Sequence, residues 1–181
     1  MKKTFFLFIL LNVSLTIIAQ SPKRILKKLG QDPLYFIDSV NVDKSEVLKY
    51  DSKDIGLISV IKKENAIKLL GEDGKDGAIY IETKIFVKSR YWKFFCSKSK
   101  EYSEIVKSPE SDTNIQYILN KRILENNFEG DLALIDDKIF KSITIINKQE
   151  LIDKYNINNK EFGVIIISEV PDDLYKGRKK F

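Results

Sequence analysis

Histidine is missing from the chain altogether, and with it go the Ser-His and Cys-His nucleophilic pairs and the commonest zinc ligand. Cysteine is almost as scarce. Cys96 is the sole one, so no internal disulfide can form and stability has to come from packing. Beside Phe94 and Phe95 it reads as a small buried hydrophobe rather than a nucleophile. Past the N-terminal leader, no run approaches the roughly 20 apolar residues that a membrane-spanning helix needs. The carboxylate pairs Asp136-Asp137 and Asp172-Asp173 are sequence neighbours in turn-like surroundings. Acid–base work needs two carboxyls converging across a cleft, which adjacency does not provide. Glu72-Asp73-Gly74-Lys75-Asp76-Gly77 looks superficially like a calcium loop. With Gly77 as its glycine, however, Gly74 falls on a ligand position and Thr83 on the closing glutamate. The Lys-Ser/Thr ending of a phosphate loop is missing too. The expectation is a protein without catalytic, cofactor-binding or metal-binding residues, and so not an enzyme.

What is present begins with a leader. Met1 to Ala19 has a basic start at Lys2 and Lys3, an apolar run from Phe5 to Leu11, and Ile17-Ile18-Ala19 before Gln20. That is the layout of a cleavable secretory signal. An uncleaved anchor is the alternative, because Ile17 is larger than the usual small residue near a cleavage site. No cysteine follows the apolar run, which argues against a lipid anchor. The expected location is the periplasm, the outer membrane or the exterior, with no transmembrane span in the mature chain. The formal charge is +5, from 31 Lys and Arg against 26 Asp and Glu. Without Lys2 and Lys3 the balance is 29 against 26, or +3. Of these 29 basic residues, eight sit at the two ends, at Lys23, Arg24, Lys27 and Lys28 and at Lys176, Arg178, Lys179 and Lys180. With no aromatics interleaved, a nucleic-acid partner is not expected.

Two stretches of the chain read as copies of each other. Asp32 to Lys84 and Asn114 to Ser168 align through Tyr35 on Tyr117, Ile58 on Ile143, Ile67 on Ile152 and Gly77 on Gly163. The offsets are 82, 85, 85 and 86, so one small α/β unit made twice is expected. The first copy opens with a β-like run, Pro33 to Asp38, and a second short strand and a helical turn are expected between Ser39 and Asp54. Ile55 to Ile61 reads as a strand apolar on both faces, hence covered on both. From Glu64 to Leu70 the period becomes helical through Ala66, Ile67, Leu69 and Leu70, with Gly71 at the stop. Gly71 to Gly77 is turn-rich, and Ala78 to Thr83 is again a strand. The stretch from Ile61 to Ala78 has room for the crossover that joins parallel strands. In the second copy the strands are Tyr117 to Asn120, Ile143 to Ile146 and Phe162 to Ile167. Asn147 and Glu150 have the spacing of a capping box, ahead of a helical face of Leu151, Ile152 and Tyr155.

The expected organisation is a signal peptide over 1–19, unit 1 over 30–88, an aromatic and polar connector over 89–113, unit 2 over 114–170 and a basic tail over 171–181. The fold class is α+β, built of two strand–helix–strand units. The connector carries Tyr91-Trp92-Lys93-Phe94-Phe95, which could be a binding surface. A cluster of this kind more often packs against the domain it leaves.

The first copy resembles the plug domain of TonB-dependent receptors, in the form found in large nutrient-uptake receptors of the Bacteroidetes. The residues that carry the likeness are Pro33, Leu34, Tyr35 and Asp38; Ile55, Ile58, Val60, Ile61 and Lys62; Ala66 and Gly71; and Gly77, Ile79, Ile81, Thr83 and Lys84. Ser39 stands where plugs usually have Gly, and Leu70 where they usually have Tyr. The chain holds too few strands for a transmembrane barrel, so the resemblance implies a stand-alone plug-like module. The expected function is non-enzymatic recognition of an outer-membrane or periplasmic protein or ligand. Asp38 and the Gly71 to Gly77 loop are expected to be structural turns. The alternative is a histidine-independent hydrolase or transferase.

Overall fold

The structure is a computed structural model that describes residues 29–170; the leader, Lys23 to Lys28, Asp172-Asp173 and the basic tail lie outside the described residues. The fold is α+β. Unit 1 comprises β1 (Leu34–Ile37), β2 (Val40–Val42), α1 (Lys44–Val47), β3 (Ile55–Ile61), α2 (Lys63–Leu70) and β4 (Ala78–Thr83). Then come α3 (Lys84–Lys98) and α4 (Lys100–Ile105). Unit 2 comprises β5 (Ile115–Leu119), β6 (Arg122–Ile123), α5 (Glu129–Ala133), β7 (Phe140–Asn147), α6 (Lys148–Tyr155) and β8 (Phe162–Ser168). None of the described helices is long and apolar enough to cross a membrane.

Each unit forms a four-stranded mixed sheet, ordered β2-β1-β4-β3 in the first and β6-β5-β8-β7 in the second. The pairing registers match residue by residue. Leu34 sits beside Ala78 as Gln116 sits beside Gly163, and Ile58 faces Ile81 as Ile143 faces Ile166. The hairpins are therefore related by an offset of 82 and everything from β3 to β4 by 85. Helix α2 ends at Gly71 with φ 68, and α6 ends at Asn156 with φ 57. Both stops use a positive φ, but Asn156 is left-handed helical with ψ 35 whereas Gly71, with ψ −151, lies in a region that essentially only glycine adopts. The structural partner of Gly163 is Ala78 rather than Gly77, which removes the one irregular offset.

Strand directions differ from the expectation. β3 and β4 are antiparallel, and the parallel neighbours are β1 and β4. The reason lies in the connection. Eight residues of α2 rise about 12 Å at 1.5 Å per residue, and the 3-10 turn Gly71–Asp76 folds back along the helix. A Cβ on Gly74 would lie 2.4 Å from the Ala66 carbonyl oxygen, so only glycine permits the return at that distance. The chain re-enters where it left, with Ile61 facing Ala78. β3 also proves to be an edge strand, and Ile58 is 54% exposed instead of covered on both faces. Of the expected helical stripe, Ala66 is buried while Ile67 and Leu69 are exposed.

The connector is helical, and its aromatics join the unit that follows. Val87, Tyr91 and Phe95 recur every four residues on one face of α3 and are buried. Tyr91 and Phe95 pack with Tyr102, Tyr117, Leu119, Val164 and Ile166 in the largest apolar core. The other face of the unit 2 sheet packs Ile118 and Ile146 with Leu151. The capping box of α6 is present, with Asn147 Oδ1 accepting from the Glu150 N–H and Glu150 Oε2 from the Asn147 N–H.

Both hairpins turn through two residues of positive φ: Asp38 (48) and Ser39 (73), then Asn120 (47) and Lys121 (72). This is the tight turn whose twist matches paired strands and which favours Gly at its second position. Asp38 takes the Thr83 N–H on Oδ1 (2.7 Å) and the Thr83 hydroxyl on Oδ2 (2.8 Å). Asn120 does the same for unit 2, with the Ser168 N–H on Oδ1 (3.0 Å) and Nδ2 donating to the Ser168 carbonyl (2.8 Å). Removing either side chain leaves part-buried groups at the end of the central strand unpaired. Asp38→Ala is expected to cost about 1–3 kcal/mol in urea unfolding, and Asn120→Ala to fall in the same range. A loss below about 0.5 kcal/mol for both, within the scatter of ordinary surface changes, would contradict the clamp.

Candidate functional site

The turns expected to be structural are so. Asp38 is engaged by Thr83, and Gly71–Asp76 is a 3-10 turn that ends at Gly77 with φ 88. Asp136 closes a turn by accepting the Lys138 and Ile139 N–H groups at 2.9 and 3.2 Å, and Asp137 pairs with Lys98. Cys96 is partly buried, and burial pushes its thiol above the usual range, which suits a packing role. Among the described residues no three His, Cys, Asp or Glu side chains are grouped to hold a metal ion.

An open cleft of about 340 Å3 lies where unit 1 meets unit 2, lined by Leu57, Ser59, Tyr80 and Glu82 from the first sheet, Arg90 from α3, and Ala133, Leu134 and Asp136. Three features place these side chains. β4 alternates its residues, so Tyr80 and Glu82 share a face. Tyr80 stacks on Phe36 of the neighbouring strand, with ring centroids 4.4 Å apart and planes within 4°. Arg90 reaches back from α3 to Glu82 at 2.9 Å. Burial, helped by the nearby Asp38 charge, raises the Glu82 carboxyl above its ordinary range, and the Arg90 guanidinium offsets only part of that rise. Ser59 has in this lining no base other than Glu82, whose carboxylate Arg90 engages, and Asp136, whose carboxylate closes its own turn. The arrangement can bind a polar group at its rim; it lacks the coupled nucleophile and base of acyl or group transfer.

A second polar cluster lies inside unit 2. Asp112 accepts from Lys88 Nζ (2.8 Å) and from the Tyr91 hydroxyl (3.1 Å), and the Tyr102 and Tyr117 hydroxyls meet at 2.9 Å. Burial is the main reason that all three phenols hold their protons more tightly than tyrosine in water; the Asp112 charge adds to it at Tyr91. They remain neutral hydrogen-bonding groups at every physiological pH. Lys88 and Tyr91 stand three apart on one helix and could have been paired from sequence. Asp112 could not, because it meets Lys88 and Tyr91 from 24 and 21 residues away, and neither could the Glu82–Arg90 pair, which depends on the angle at which α3 leaves β4.

The two units differ most in their cover. Tyr117, Leu119, Val164 and Ile166 are at most 1% exposed beneath α3 and α4. Their counterparts Tyr35, Ile37, Ile79 and Ile81 pack with Leu29, Val42, Val47 and Ile55. Unit 1 and the start of α3 leave Val40, Leu48, Tyr50, Ile58, Ile67, Leu69 and Ile85 exposed, against Ile123, Ile167 and Val170 in the second half.

If the tyrosine pair is structural, either hydroxyl alone should be a burden. Tyr102→Phe and Tyr117→Phe should each lower stability by about 1–3 kcal/mol through the orphaned partner. The double variant should lose less than the sum of the two in urea unfolding, and simple additivity would refute the pairing.

Comparison of the chain with family models, with curated proteins and with solved structures finds no match in any of the three.

Proposed function

We propose that this chain is an exported, non-enzymatic recognition module, plug-like in unit 1, that engages an outer-membrane or periplasmic protein or ligand. The carrying observation is the unequal burial of two units that share one sheet layout. Unit 2 is sealed by aromatic helices, whereas Val40, Leu48 and Ile58 of unit 1 are 64%, 79% and 54% exposed. Of the ten exposed large apolar side chains among the described residues, seven fall in unit 1 and the start of α3, and exposed apolar surface is a common mark of an interaction site. The residues resembling a plug lie in or beside β1, β3, α2 and β4, all in unit 1. The rival is a hydrolase or transferase working without histidine; the engagement of Glu82 by Arg90 favours recognition over it. Export rests on the leader at Met1 to Ala19.

Affinity capture from a bacterial envelope with the tagged chain tests this reading. An envelope protein should be retained by the unaltered chain and lost by Leu48→Asp/Ile58→Asp, whose melting temperature should hold because both positions face solvent. The captured chain should begin at Gln20. Retention that ignores the double variant, or no retained protein at all, would defeat the proposal.

A further inference from the structure

We propose that two copies of this chain pair antiparallel through β7, about a two-fold axis at Thr144, joining two four-stranded sheets into one of eight strands. The inference goes beyond the recognition reading and does not depend on it. A sheet edge leaves every second residue with unpaired N–H and C=O groups, and proteins shorten, charge or cover such edges. Two of the four edges here are short, with three residues in β2 and two in β6. The edge of β3 is met at Gly56 by unit 2 and α3. A Cβ on Gly130 of α5 would lie 2.4 Å from the Gly56 carbonyl oxygen, and one on Gly56 would lie 2.5 Å from Val87 Cγ2.

β7 has no such cover. It is eight residues long, and among the described residues no hydrogen bond from outside its own sheet reaches the backbone between Lys141 and Ile146. The glycine junction that covers β3 cannot be repeated here by a further copy. At the offset of 85 Gly56 becomes Lys141, and α1, which takes the place of α5 in unit 1, has no glycine in Lys44–Val47, so side chains stand where the junction needs none. That leaves strand pairing.

The sequence of β7 suits self-pairing. Paired residues must share a sheet face, so a two-fold axis has to pass through a residue position. With the axis at Thr144, Ile143 faces Ile145 of the second copy and Ser142 faces Ile146, and the ladder ends at the irregularity between Phe140 and Ser142. No like charges meet. Ile143 and Ile145 already pack on the edge of the main core, so the pairing extends that core across the axis. Cross-strand apolar pairs of this kind stabilise a ladder.

Sedimentation equilibrium on the mature chain tests the pairing. The parent should have twice the chain mass. Thr144→Lys and Thr144→Glu, both at an exposed position, should fold with an unchanged circular dichroism spectrum and be monomeric, since each sets like charges against each other at the axis. An equimolar mixture of the two should recover the dimer. A parent that is monomeric up to its solubility limit, a Thr144→Lys chain that still dimerises, or a mixture that stays monomeric would each overturn the proposal. A monomeric parent whose envelope partner is lost on Thr144→Lys would assign the edge to a foreign strand instead.

Discussion

In each sheet the central strand is held at its far end by a side chain from a left-handed turn. Asp38 grips Thr83 and Asn120 grips Ser168. The turn residue is thus asked for two things together, a positive φ and a short polar side chain, and Asp and Asn satisfy both. With the grip in place β1 can pair only with β4 in the observed register, which leaves β3 to close the other side. In unit 1 the grip does more. Thr83 also caps α3, its hydroxyl accepting the Phe86 N–H at 3.2 Å, so the turn aims the helix that carries the core of the next unit.

That aim explains why duplicated units came to differ. α3 leaves unit 1 at the end of β4 and delivers Tyr91 and Phe95 to the sheet of unit 2. The second sheet is packed on both faces, by the aromatic helices on one and by Leu151 of α6 on the other. Unit 1 has the same strands without an equivalent donor among the described residues. Its core is correspondingly small, three buried isoleucines at Ile37, Ile79 and Ile81. Contact between the units relies on glycine: Gly56 and Gly130 bring backbone to backbone where any side chain would hold α5 away. One sheet layout therefore supports a sealed half and a half with apolar side chains in water.

Much of this was legible in residue order. The paired runs of β-branched residues, the capping box at Asn147 and the stop at Gly71 are local signals, and local hydrogen bonding or backbone freedom decides them. Direction was not legible. The length between Ile61 and Ala78 suits a crossover, but whether α2 carries the chain across or the following turn brings it back depends on Gly74 fitting against Ala66. The aromatic cluster was visible as a cluster, yet its allegiance to unit 2 is set by the direction in which Thr83 launches α3. The Gly77–Gly163 alignment followed a shared residue type where the ladder aligns Ala78 instead. At the cleft, Glu82 and Arg90 meet only through the join of strand to helix, which no spacing rule anticipates.

Inter-strand nuclear Overhauser effects on the labelled chain test the duplication most directly. Matched backbone contacts are expected for Ile58 with Ile81 and for Ile143 with Ile166, which mark antiparallel ladders, and for Tyr35 with Ile79 and Tyr117 with Val164, which mark parallel ones. A parallel pattern between β3 and β4, or a strand order in one unit that the other lacks, would show that the two halves are not one architecture built twice.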